Sequence, residues 1–189
     1  MPRHGGRRLP QAIPALSVVG LLVSANLSKL LTMPFQPLIV LYLAYVFLIG
    51  ITEEYVFRGV LIPLLARSFN GHNLATVLVS SLLFGGLHLI NSTHLALTYV
   101  LPQILFAMAI GTLFASLYVC TNNLSLTILL HAATDLSVVV QLIEHPTNAA
   151  NLDFSPSVSL MVSIFYSALL VVAILVARRQ TRHVNIPHH

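Results

Sequence analysis

The sequence predicts an all-α fold, a polytopic transmembrane helix bundle of about six spans that forms a single membrane domain over 1–189 with its site inside the bundle. Composition is the first observation behind this. Of the 189 residues, 57% are hydrophobic and 7% are charged, against roughly a quarter charged in a soluble domain, so the chain could not cover a water-facing surface. The second observation is length: at roughly 20 to 25 residues per crossing there is room for six or seven spans and almost no extramembrane domain. The third is that Glu53, Glu54, Asp135 and two histidines fall inside apolar runs. An unpaired charge at mid-bilayer costs at least about 2.5 kcal/mol, so such residues face the bundle interior and mark a site.

Apolar runs bounded by proline, asparagine and charge place helices at about 12–31, 36–66, 73–91, 95–119, 123–143 and 157–177. The first contains Pro14, Asn26 and Lys29, which suggests a short or tilted helix. No small-residue cleavage site follows it, so it is expected to be retained rather than removed as a signal peptide. The second holds Glu53, Glu54 and Arg58 and is too long for one plain crossing. It is expected to tilt, to kink at Gly50 or Gly59, or to run out into the cytoplasm. Cys120 is the only cysteine, which excludes an intrachain disulfide and leaves helix packing and buried polar contacts to hold the fold.

The net charge of +4 comes from basic residues at the two ends: Arg3, Arg7 and Arg8 in front, Arg178, Arg179 and Arg182 behind. That distribution orients a membrane protein and does not read as nucleic-acid binding. Both termini are expected in the cytoplasm, with the cell (plasma) membrane as the location. An even number of spans follows, with Arg67 on the cytoplasmic side and Glu144 and Asp153 outside. The tail ending His188, His189 reads as a terminal segment rather than a metal site.

Three short patterns carry the chemistry. In Glu53-Glu54-Tyr55-Val56-Phe57-Arg58, residues four apart share a helix face, so Arg58 reaches Glu54 and leaves Glu53 free for a partner on another helix. Glu53 is therefore the candidate base. In Phe84-Gly85-Gly86-Leu87-His88 the two glycines allow a neighbouring helix to approach, and His88 is expected to meet Glu53. In His131-Ala132-Ala133-Thr134-Asp135, the carboxylate can accept from one imidazole nitrogen and leave the other to face the site. Each pattern alone also fits a structural role: a Glu–Arg pair, a packing histidine, a His–Asp pair. Their combination on separate intramembrane helices favours a site.

Glu-Glu-x-x-x-Arg, Phe-x-x-x-His and His-x-x-x-Asn/Asp, in this order, make residues 40–143 resemble the CPBP intramembrane proteases. That family includes the type II CAAX prenyl endopeptidases and bacterial bacteriocin-processing or self-immunity proteins. The resemblance implies an endopeptidase whose Glu53 activates the attacking water near the cytoplasmic boundary of the membrane. Glu54 and Arg58 then support it, and His88 and His131 complete the site. Asp135 stands where many members have Asn; an ionised Asp can only accept, so it is assigned to orienting His131 or binding a cation. The implied partners are the bilayer and a peptide or membrane-protein substrate, lipidated or not. On the favoured reading no cofactor is required. The alternative is a divalent metal such as zinc, with His88, His131 and Glu53 as ligands, although no His-Glu-x-x-His helix is present. Outside the peptidase reading stand a proton-coupled transporter and a non-catalytic immunity or interaction protein of the same family.

Overall fold

Proline, asparagine and serine set the helix boundaries in the computed structural model, which describes residues 9–144 and 153–182. Arg3, Arg7, Arg8, His188 and His189 lie outside the described residues. Helix α1 runs Leu9–Thr32, α2 Pro37–Glu54, a π-helical segment Tyr55–Leu61, and α3 Ile62–Ser68. Then come α4 Asn73–Leu87, a 3-10 segment His88–Thr93, α5 Leu97–Thr121, α6 Leu124–Thr134, α7 Leu136–Glu144 and α8 Pro156–Thr181. Pro37 starts α2 behind an extended Gln36, where its missing N–H costs nothing. Asn123 and Ser155 cap α6 and α8 by accepting from Leu126 N and Val158 N. The α3–α4 turn uses Asn70 at φ 50° and Gly71 at φ 78°, left-handed values that these two residue types tolerate.

Among the described residues, six helical stretches are long and apolar enough to cross a membrane: Ala12–Thr32, Pro37–Ser68, Asn73–Thr93, Leu97–Thr121, Leu124–Glu144 and Pro156–Thr181. No strand occurs among the described residues. The all-α, six-span expectation therefore holds. The first span is neither short nor broken, since α1 continues through Pro14 for 24 residues.

The bundle is built around α5, whose residues from Ala109 to Leu117 are all buried. A helix apolar on every side needs neighbours on every side. Ala173 of α8 and Ala15 and Val19 of α1 pack with Ile110, Leu113 and Phe114, and small side chains let these backbones approach. Ser116 Oγ donates to Gln180 Oε1 at 2.8 Å, tying α5 to α8. On the α4 side the fit is closest at Gly85, where an added Cβ would collide with Met108 Cγ and lie 3.0 Å from the Ile104 carbonyl oxygen and 3.1 Å from Met108 N. Gly86 has nothing within 4 Å, so only one of the two glycines serves the close approach expected of both.

The three spans that carry the sequence motifs all leave ideal α geometry at the motif. The second turns π-helical directly after Glu54, over a stretch that includes Gly59 but not Gly50. Gly50 instead packs α2 on α6, where a Cβ would lie 3.3 Å from the Ile128 carbonyl oxygen. The third span tightens to 3-10 at His88, and the fifth, expected as one helix, breaks at Asp135 between α6 and α7.

Gly85→Ala is expected to lower thermal stability in detergent, by about 1–3 kcal/mol, because rigid backbone atoms of α5 bound the space. Gly86→Ala is expected to leave the melting temperature unchanged or slightly raised. Paired melting curves of the two variants check this contrast.

Candidate active site

Arg58 is fully buried, and an arginine so deep in a membrane domain requires partners on several sides. Its Nη1 lies 2.8 Å from Glu54 Oε1. The angle there is poor for a hydrogen bond, so the contact acts through charge. Nη2 donates to the Gly111 carbonyl of α5 at 3.2 Å, and the guanidinium lies 4.7 Å from the ring centre of Phe84 and 5.8 Å from that of Phe114. Such ring faces attract a desolvated cation. Glu54 and Arg58 thus form the pair expected from their spacing, across the change from α to π helix.

Glu54 has a second partner that its spacing gives no hint of. Its Oε1 also lies 2.8 Å from His131 Nδ1, so one carboxylate oxygen joins α2 to α6. A carboxylate only accepts, so Nδ1 carries the proton. Glu54, not Asp135, is therefore the group that fixes the imidazole. Asp135 Oδ2 stands 3.5 Å from Nε2 of the same ring, and Glu53 Oε2 stands 3.6 Å from that nitrogen. His131 lies between the Phe84 and Phe114 rings, at 5.9 and 5.7 Å between ring centres.

His88 takes a different place from the one expected. It opens the 3-10 segment, and its Nδ1 lies 3.0 Å from the carbonyl oxygen of Phe84, one helical turn back. No hydrogen bond or ion pair joins it to Glu53. Phe84 meets both imidazoles with its ring, His88 at 5.3 Å and His131 at 5.9 Å between centres, so an aromatic edge spaces the two histidines.

A cavity of about 330 Å³ adjoins the two histidines. His88, His131 and Asp135 line it; Glu54 and Arg58 do not, and neither does Glu53, whose carboxylate shares His131 Nε2 with that of the lining residue Asp135. The Glu53 side chain is nevertheless 30% exposed, whereas that of Glu54 is fully buried. Along the spans, the lining residues Asn26, His88, Gln103, Ser137 and Phe165 fall in the half of the bundle that ends at Lys29, Glu144 and Asp153, while Leu22 and Thr134 lie at mid-span and Ile110 and His131 just beyond it. Lys29 and Glu144 pair there at 2.7 Å, and Thr98 bonds Asp153.

Charge-based reasoning missed the polar wall of this cavity: Asn26, Tyr99, Gln103, Gln141 and Tyr166. Gln103 and Gln141 are amides inside apolar runs, and that is the signal by which they could have been found. Nor do His88, His131 and Glu53 gather as a ligand set. Among the described residues no group of three or more His, Cys, Asp or Glu side chains is arranged to hold a metal ion.

A family model, type II CAAX prenyl endopeptidase Rce1-like, matches residues 35–137, a stretch that contains all six motif residues from Glu53 to Asp135. The comparisons with curated proteins and with solved structures gave no match.

Glu54→Gln is expected to destabilise the protein by about 3–5 kcal/mol, because it leaves a buried guanidinium without its counter-charge. Glu53→Gln, at a partly exposed carboxylate, is expected to melt within a degree or two of wild type, a change of about 0.5 kcal/mol or less. Thermal denaturation of the two variants in one detergent measures the difference.

Proposed function

The chain belongs to the Rce1-like family of type II CAAX prenyl endopeptidases, and from that membership we propose that it hydrolyses a peptide bond of a membrane-associated protein or peptide with a glutamate-activated water. The family is one of proteases, and six apolar helices make the chain an integral membrane protein. Family membership favours an enzyme over a proton-coupled carrier.

One observation carries the choice of base. Glu54 Oε1 is taken by Arg58 and His131 at 2.8 Å each, whereas Glu53 faces His131 Nε2 at 3.6 Å with its side chain still accessible. A base must be reachable by the attacking water, and of the two adjacent carboxylates Glu53 is the accessible one, whereas the unpartnered Oε2 of Glu54 is sealed inside the bundle. His88, His131 and Asp135 present the reacting bond with polar groups, and Phe84, Phe106, Phe154 and Phe165 supply apolar wall. Such a mixture suits a peptide with hydrophobic side chains, from a lipidated C-terminal peptide to a leader peptide. The reading needs no metal.

Both termini are assigned to the cytoplasm of the cell membrane, from the basic residues at the two ends of the sequence. Most of the cavity's lining then lies in the half that bears Glu144 and Asp153, with His131 near mid-span.

With purified protein and a peptide that wild type cleaves, Glu53→Gln is expected to abolish turnover, a loss of about 100-fold or more. Near-normal cleavage by Glu53→Gln would remove the assigned base, and loss confined to a still-folded Glu54→Gln would move the role to Glu54. Cleavage is expected to survive exhaustive dialysis against a chelator; loss restored by zinc would replace the metal-free mechanism. Tags at the two ends, probed in sealed vesicles, are expected to be protected or accessible together, and opposite exposure would contradict six spans.

A further inference from the structure

As water adds to a peptide carbonyl, the oxygen gains negative charge and needs a hydrogen-bond donor already in position. The motif side chains that face the cavity are rich in acceptors instead. His88 Nδ1 lies 3.0 Å from a backbone carbonyl; since a carbonyl only accepts, the neutral ring turns its lone pair outward on Nε2. His131 has Nδ1 on Glu54, and its Nε2 is flanked by the carboxylates of Asp135 and Glu53 at 3.5 and 3.6 Å, so both its nitrogens already face acceptors of the protein. Asp135, when ionised, only accepts. Arg58 has N–H groups without partners, but it is fully buried and does not reach the cavity.

Gln103 of α5 differs from all of these. Its side chain lines the cavity, and its Oε1 accepts from Asn91 Nδ2 at 2.9 Å. With Oε1 so engaged, the amide is held with its NH2 group turned away from Asn91. That group makes no hydrogen bond among the described residues and is not sealed from the cavity. Asn91 follows His88 by three residues within the 3-10 segment, where side chains at i and i+3 eclipse one another. The bond that holds Gln103 therefore ties its amide to the 3-10 segment that His88 opens, in the cavity that both residues line.

We propose that the Gln103 side-chain amide donates a hydrogen bond to the oxygen of the scissile carbonyl as it becomes an oxyanion. The inference rests on the peptidase reading above. Asn91 then acts as a positioning residue, holding the amide at the cost of none of its donors. Preorganisation is what gives such a donor its effect, because no side chain has to reorient as charge develops.

The test uses purified full-length protein and a quenched-fluorescent peptide, chosen from a library as one that wild type cleaves. Gln103→Glu keeps the acceptor for Asn91 and removes the donor; Gln103→Leu removes both without adding charge. Both are expected to lower kcat by about 100-fold with KM within about twofold, since the bond strengthens only in the transition state. Asn91→Ala, which frees the amide but keeps it, is expected to lower kcat by about 10-fold. Melting curves of all variants are read in parallel, and Gln103→Leu keeps the inference testable if the added charge of Gln103→Glu impairs folding. Equal activity of wild type and a folded Gln103→Leu overturns the donor while leaving the peptidase reading intact. A loss confined to KM, or an unimpaired Gln103→Glu, assigns Gln103 to the architecture alone and overturns it too. A wild type that cleaves no member of the library overturns the peptidase reading and the donor with it.

Discussion

One carboxylate oxygen, Oε1 of Glu54, lies 2.8 Å from both a buried guanidinium and a buried imidazole, and the geometry of the site depends on it. An isolated charge here would be strongly disfavoured, so each of the three groups requires the other two. Arg58 extends the cluster through Gly111 to α5, and His131 extends it to α6. Three helices are thereby held in one register. The rings of Phe84 and Phe114 close over the cluster and keep lipid tails from it.

The departures from regular helix follow from the same requirement. Side chains four apart on an α-helix lie on one face, which suffices to pair Glu54 with Arg58 but not to aim the guanidinium at a carbonyl of α5 as well. The wider π turn over Tyr55–Leu61 accompanies that second contact. At His88 the tighter 3-10 turn allows the imidazole to bond back to Phe84. At Asp135 the helix ends, and the carboxylate comes within 3.5 Å of the histidine preceding it by four residues. Such irregularity is tolerated at membrane depth because protein, not lipid, surrounds it.

What the sequence made legible was what a single helix decides. Apolar run length located all six spans, and the i+4 spacing paired Glu54 with Arg58. What it hid was which particular groups meet between helices. Glu54 and His131 are 77 residues apart, and no local pattern distinguishes that partnership from the Glu53–His88 meeting expected instead. Gly85 and Gly86 look equivalent in sequence, yet one faces Met108 and the other faces open space, because only the direction of packing tells them apart. The break at Asp135 left no proline or glycine to announce it.

Most of the residues around the cavity lie towards one end of the spans that contribute them, while α5 is buried without a gap from Ala109 to Leu117. The space is therefore lopsided: along the far part of α5 there is rigid packing where a guest would need room. Its shape favours a guest that presents a short segment over one that must lie across the whole thickness of the bundle.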